Sequence, residues 1–453
     1  MVVTSLKEIF ANLQNLIEVD LPNFDSSSVY NMKNMFMNCT SLTSINLSNL
    51  KTNSVQIMQG MFYGCTSLKE LDLYSFDTSR VISMADMFRY CNNLISLNIS
   101  GFKTSNVQIM TSMFQIVESL ENLDLSHLDT SKVTKINGMF WKMKSLTSLD
   151  LSNFNTSSVV NMADMFVYDE KLEYLYLTNF DTSKVTLMGQ MFTGCKNLIS
   201  LDLSSFDTTN AKDMNRMFLY CERLTNLNLS NFKTPNLESM KQMFYGCKNL
   251  VSLDLSNINT SNVKDMTSFF YDCQKLESVN LSNFQTNSLI NMESMFHNCK
   301  SLSSLDLSNF DTSKVQSMKK MFVNCHNLKE LDLSNFDTTS LLNAELMFYD
   351  CRNIDYINFK KYNELNDSIN IRGILDLISN NVVICIDMDN NNINKIKTEI
   401  DKKGCSIIDC SINWKNNQKR VIKENNTCTE NCSGFKYEYN HKCYSTCPEE
   451  DFC

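Results

Sequence analysis

Glycine and proline are scarce, with 10 and 3 residues in a chain of 453. So few backbone punctuators argue against irregular turns and against a flexible linker between domains. Histidine is equally sparse, and the four copies, His127, His297, His326 and His441, stand far apart along the chain. No glycine loop that could cradle phosphate and no nucleophile elbow occur. No catalytic constellation can therefore be assembled, and neither an enzyme activity nor a cofactor is expected. No window approaches the ~18 consecutive apolar residues of a membrane-spanning helix. Residues Met1 to Phe10 lack the charged-then-apolar order of a signal peptide. No basic run stands out either: 41 Lys and Arg face 50 Asp and Glu, a net charge of −9. That balance argues against a nucleic acid partner, which requires a basic stripe.

What is present is a repeat. Met35-Phe36 recurs as Met61-Phe62, Met87-Phe88 and onward to Met347-Phe348, thirteen copies in steps of 26 residues, with Phe269-Phe270 as one variant. No insertion or deletion interrupts the series, and Ile9-Phe10 extends the register to the start. Within a unit, Leu302, Leu305, Leu307 and Phe310 follow the spacing of a leucine-rich repeat. Apolar and polar residues alternate through Ser304-Leu305-Asp306-Leu307-Ser308, the pattern of a half-buried strand. Val315, Met318, Met321, Phe322 and Cys325 fall at spacings of three and four, which predicts an apolar stripe on a helix. Thr312 or Ser313 would cap that helix, and Asp311 would complement its dipole. The expected fold is an α/β leucine-rich-repeat solenoid, with parallel strands on the concave face and short helices on the convex face. Each unit buries its apolar side only against its neighbours.

The units resemble the BspA-like leucine-rich-repeat surface proteins, in the subtype with the phrase LDLSNFDTS-x-V-x-x-M-x-x-MF-x-x-C. The phrase stands at Leu305–Ser313 followed by Val315, Met318, Met321-Phe322 and Cys325. The resemblance covers roughly residues 10 to 360 and implies a solenoid fold and a surface protein implicated in adhesion. It carries no catalytic residues.

Ten of the eighteen cysteines hold one repeat position, from Cys39 to Cys351, and Val117, Met143 and Asp169 replace them in three consecutive units. Such a position reads as a small buried apolar residue rather than a ladder of metal ligands or disulfides. The other eight, Cys385, Cys405, Cys410, Cys428, Cys432, Cys443, Cys447 and Cys453, are disulfide candidates. The tail spacing C-x3-C-x10-C-x3-C-x5-C is similar to part of a growth-factor-receptor or furin-like module, with zinc as the alternative. The expected organisation is a solenoid over 1–351, a last strand and cap over 352–420, and a cysteine-rich segment over 421–453, truncated where the sequence stops. In the cap, Val382 to Ile386 reads as a buried strand, and Ile393, Ile396 and Ile400 as a helical stripe.

Candidate ligand-binding residues lie on the outward strand positions. The central column holds seven carboxylates, including Asp72, Asp124, Asp150 and Asp202. Two strands depart from the Ser-Asp-Ser norm: Glu70, Asp72 and Tyr74 on one, Tyr174, Tyr176 and Thr178 on another. Exposed aromatics on a polar face are frequent contact hot spots. The carboxylates read as a solvated face bonded by flanking serines, because no loop gathers the oxygens that calcium needs. The expected function is non-enzymatic binding or adhesion at the cell surface through a protein or glycan ligand. A structural coat component and an intracellular interaction scaffold are the alternatives.

Overall fold

The computed structural model describes residues 2–21, 24–360, 368–379, 382–386 and 394–401, with the backbone alone of the short strands at 407–409, 420–422, 428–429, 437–439 and 442–444. It is a β-solenoid of about 14 turns with parallel strands. Two compact units divide the chain, Met1–Leu250 and Val251–Cys453.

In the first unit, three-residue strands recur at the predicted place: β1 (Glu18–Asp20), β2 (Ser44–Asn46), β3 (Glu70–Asp72), β4 (Ser96–Asn98), β5 (Ser148–Asp150) and β6 (Tyr174–Tyr176). β1 pairs with β2, β3 with β4 and β5 with β6. All are parallel, each residue facing the one 26 positions on. Their middle residues, such as Leu71, Leu149 and Leu175, are buried, while the flanking residues face out. This is the period-2 alternation read from the sequence. A second column of parallel bridges runs through Ser5, Asn31, Ile57, Ser83 and onward to Ser239.

The second unit repeats the scheme in β7 (Ser252–Asp254), β8 (Ser278–Asn280), β9 (Glu330–Asp332) and β10 (Tyr356–Asn358). The sheet then continues in parallel past the last regular repeat, in the order β12-β11-β10-β9, with β11 at Val383–Ile386 and β12 at Ile407–Asp409. The one α-helix among the described residues is α1, Asn394–Asp401, which buries Ile396 and Ile400. β11 and α1 thus lie where the apolar run and the stripe through Ile396 and Ile400 place them, and Ile393 lies outside the described residues.

The convex helices expected in each repeat are absent among the described residues. Tight turns replace them, and the reason lies in where the backbone amides bond. Met58, Gly60, Phe62 and Gly64 donate their N–H groups to Ser83, Ala85, Met87 and Arg89 of the next coil, at 2.8–3.1 Å. Between them, Met61, Tyr63 and Cys65 donate to Met58, Gly60 and Phe62, each closing a turn three residues back. A helix would direct these bonds four residues back along its own axis. Gly60 and Gly64 have φ of 60° and 73°, and the equivalent pair in other coils, such as Asp86 and Tyr90, is also positive. Two such residues four apart interrupt any right-handed helix and fit successive turns that require φ > 0 at the third position.

The apolar spacing has its own explanation. Thr78, Val81, Met84 and Met87 point inward at every third residue, and Phe88, Cys91 and Leu94 resume the step of three one position on. On a helix a step of three drifts by about 60°, so a short window passes for a stripe and the whole run does not.

Thr312 is likewise no helix cap. It is buried, and its hydroxyl donates to the Asp337 carbonyl of the next coil at 2.8 Å. Thr78 does the same to the Lys103 carbonyl at 3.0 Å and also accepts the Lys103 amide at 2.7 Å. Asp311 serves locally, accepting the Ser313 amide at 3.0 Å.

The core is a set of columns. In the first unit the phenylalanine rings stack coil on coil from Phe10 to Phe244, with centroids 5.2–6.0 Å apart and planes within 15°. In the second, Phe270, Phe296, Phe322 and Phe348 stack at 5.3–5.7 Å. The ten repeat cysteines are buried free thiols. Cys65, Cys91 and Cys221 donate to the carbonyls of Phe36, Phe62 and Phe192 at 3.2 Å. Burial pushes the Cys91 thiol up to about 12, so the column is packing and carries no reactive thiolate. Cys385 is buried and, unlike these ten, is not a free thiol. The side chains of Cys405, Cys410, Cys428, Cys432, Cys443, Cys447 and Cys453 lie outside the described residues, as does the furin-like spacing that they form.

Candidate ligand-binding face

Parallel pairing at a 26-residue offset turns each outward strand position into a column. The first unit collects every candidate on one face. Glu70 and Asp72 flank the buried Leu71 on β3, and Tyr74 follows, 65% exposed. Tyr174 and Tyr176 flank Leu175 on β6, 49% and 50% exposed. β5 places Ser148 beside Tyr174 and Asp150 beside Tyr176. Asp124 and Asp202 hold the same column position in other coils and are exposed.

The carboxylates have a local task. Asp72 accepts the Tyr74 amide at 2.9 Å, and Asp124, Asp150 and Asp202 accept the amides of Ser126, Ser152 and Ser204 at the same distance. Each closes an Asx turn at the strand's end, a job that a short side-chain oxygen two residues upstream does well. The bonds from Ser126, first its amide and then its hydroxyl, hold Asp124 below the usual carboxylate range. For Asp150 and Asp202 the serine hydroxyl leads and the amide follows. These groups are ionised at neutral pH. Asn46, Asn98 and Asn280 make the same turn without charge. Charge at this position is therefore not required by the fold. Among the described residues no group of three or more His, Cys, Asp or Glu side chains is placed to hold a metal ion.

Two features of the face were not anticipated. One is the asparagine that follows the strand. Asn153 donates from its amide to the carbonyls of Leu125, Ser126 and Leu128 in the preceding coil, at 3.0–3.3 Å. Asn309 and Asn335 repeat this clamp in the second unit. The recurring Asn of the L-S-N-F phrase was its only signal. The other is Gly101, which replaces that Asn in the coil after Tyr74. A Cβ there would lie 2.0 Å from the Tyr74 carbonyl oxygen, a backbone atom with little freedom to retreat. Gly101→Ala is expected to cost about 1–3 kcal/mol, read as a lower denaturation midpoint. An unchanged midpoint would mean that the Tyr74 peptide moves aside freely.

In the second unit the strand face carries a shallow depression of about 310 Å³ lined by Ser252, Leu253, Asp254, Ser278, Val279 and Asn280. A second, of about 450 Å³, lies beyond the strand ends among Ser282 to Thr286, Asn287, Asn309 and Asp311. His127 bonds the Ile99 carbonyl at 2.9 Å and His326 the Asp350 carboxylate at 3.1 Å. His297 stacks on Tyr271 at 4.4 Å, and burial, with Lys320 nearby, pushes it down to about 4. No helix among the described residues is long and apolar enough to cross a membrane.

Comparison with known proteins returns a family and a set of folds. The family model "Mycoplasma protein of unknown function, DUF285" matches residues 1–92, 69–171, 142–252 and 238–362. No curated protein matches the chain. Among solved structures, a leucine-rich repeat protein from Bacteroides ovatus is 20% identical, with 82% of this chain and 87% of that one covered and a TM-score of 0.47. One from Eubacterium ventriosum is 17% identical, with coverage of 62% and 77% and a TM-score of 0.31. The functional domain of InlJ from Listeria monocytogenes, described as including a cysteine ladder, is 14% identical, with coverage of 77% and 65% and a TM-score of 0.20.

Proposed function

From the premise that this chain belongs to the Mycoplasma protein family of unknown function DUF285, built on a leucine-rich-repeat-like solenoid, we propose that it is a non-enzymatic cell-surface binding or adhesion protein. The strand face of the first unit engages a protein or glycan partner. One observation carries this reading: Tyr174 and Tyr176 stand half exposed on a single strand, where the neighbouring coils present Ser148 and Asp150 on one side and Ser200 and Asp202 on the other. Exposed tyrosines supply contact area at low entropic cost. The inward columns are committed to packing, and their thiols are protonated, which leaves the core no chemistry to offer. The resemblance to BspA-like surface proteins supports the surface location. The eight non-repeat cysteines fit a disulfide framework in an oxidising compartment.

The test is a protein and glycan array probed with the full chain and with Tyr174→Ser/Tyr176→Asn. Those replacements occur naturally in the same columns, at Ser148 and Asn98, so the fold should tolerate them. At least one partner signal should fall about tenfold in the variant. Partner signals identical in the two proteins would refute the strand face as the binding surface.

A further inference from the structure

The outward strand columns of the first unit are one-sided in charge. At 26-residue steps, positions 18 and 20 through 226 and 228 hold seven carboxylates, among them Glu70, Asp72, Asp124, Asp150 and Asp202. The rest are serine or asparagine apart from Tyr174 and Tyr176, and no Lys, Arg or His occurs there, although the chain carries 41 Lys and Arg elsewhere. The column beyond the strands is serine or threonine apart from Pro22 and Tyr74. In the column before them, Lys69 is accompanied by Glu121 and Glu173, the last paired with Arg223 at 3.5 Å.

Resting on the binding reading above, we infer that the occupant of this face is a cationic polypeptide segment rich in lysine or arginine, seated across Tyr174 and Tyr176. Charge complementarity selects it. Adjacent coils lie about 4.8 Å apart, so Tyr176 stands between Asp150 and Asp202 with one carboxylate on each side. An ammonium or guanidinium within about 6 Å of the ring centre gains the cation–π attraction of the tyrosine. It lies at the same time within reach of both carboxylates. Their Asx bonds hold these groups in place and ionised, so little ordering is required on binding. Sulfated or sialylated glycans and nucleic acids meet repulsion along the whole column. A neutral glycan could stack on the tyrosines but would gain nothing from seven negative charges. The same field steers a basic partner from a distance, within the Debye length of about 8–10 Å at physiological salt.

The experiment is a titration of the full chain with a labelled octalysine peptide. Octaglutamate, a neutral oligosaccharide and a sulfated oligosaccharide serve as comparison probes. Octalysine should bind alone among the four, and at least tenfold more weakly at about 300 mM salt than at about 50 mM. Asp150→Asn/Asp202→Asn keeps the Asx turn, as Asn98 and Asn280 do, and should weaken binding about fivefold. Tyr174→Ser/Tyr176→Asn should do the same. Removing the same charge off the face, in Glu170→Gln/Glu238→Gln, should leave the affinity unchanged. Octalysine binding that is absent, or equally sensitive to both pairs of charge changes, would overturn the inference. Tyrosine-dependent binding of the neutral oligosaccharide without octalysine binding would overturn it too, yet would leave the adhesive reading standing. Loss of every tyrosine-dependent signal on the array would defeat both.

Discussion

Replacing Phe166 by alanine is expected to lower the stability of the first unit by about 3–5 kcal/mol. The ring is fully buried and lies between Phe140 and Phe192, each 5.6 Å away and within 4° of parallel. Truncation opens a void against two rings at once, and the amides of Phe140 and Phe192 are tied to the Met165 and Met217 carbonyls of the following coils, so the gap cannot close by a local shift. The loss adds the ring's transfer free energy to the cost of a cavity. Phe10 ends the same stack, with Phe36 at 5.2 Å as its one stacking partner, and its replacement should cost about half as much. Denaturant unfolding of the two variants checks both numbers. Phe10 is only partly buried, so equal losses at the two positions would show that neither the fuller burial nor the second stacking ring adds to the cost at Phe166.

The second large effect concerns Asp169. It occupies the cysteine column, is fully buried, and accepts the Met143 amide at 2.7 Å through Oδ1. Its Oδ2 is buried without a hydrogen-bond partner. Burial raises its pKa well above the ordinary carboxylate value, and the Cys195 thiol beside it is raised in turn, first by its own burial and then by the Asp169 charge. A folded pKa above the unfolded one means that the folded state holds the proton more tightly. This contribution to stability is therefore complete below the unfolded value and is lost as pH rises through the folded one. Asp169→Cys restores the group present in Cys91 and Cys221, a thiol that can donate to the phenylalanine carbonyl of the preceding coil. At neutral pH the variant should gain about 1–3 kcal/mol, the cost of one unsatisfied buried polar atom. Its advantage should grow from acidic to alkaline pH. Melting temperatures of the two proteins across that range decide the matter, and a constant difference would show that Asp169 does not titrate with folding.

The two halves of each unit differ in how far they could be read. Leu305 and Leu307 announce a strand because alternation has one structural meaning, and the unbroken 26-residue step forces parallel stacking. Val315, Met318, Met321, Phe322 and Cys325 satisfy a helix over one short window and a chain of turns equally well. The deciding fact is that the Met318 and Phe322 amides find carbonyls in the next coil, at Asn343 and Met347, while Val315, Met321 and Cys325 close turns three residues back, which no single unit discloses. The positive φ values fall on Asp86, Tyr90, Ser112 and Ile116 as readily as on Gly60 and Gly64, so glycine scarcity hid the turns. On the strand face, the exposure of Tyr74, Tyr174 and Tyr176 followed from strand register alone. The bonding of the aspartates to their serines was also legible, because an Asx turn is local. The need for glycine at position 101 was not, because it depends on the carbonyl of a residue 27 positions earlier.

The central physical claim is that on the turn side of the repeats alternate backbone amides bond to the following coil, while those between them close turns three residues back, an arrangement that leaves no helix there. Far-UV circular dichroism of the purified full chain tests it most directly. A spectrum dominated by β-structure and turns, with no helical contribution from the repeats over 24–360, is the predicted result. A strong helical double minimum, as thirteen turn-side helices would produce, would contradict it.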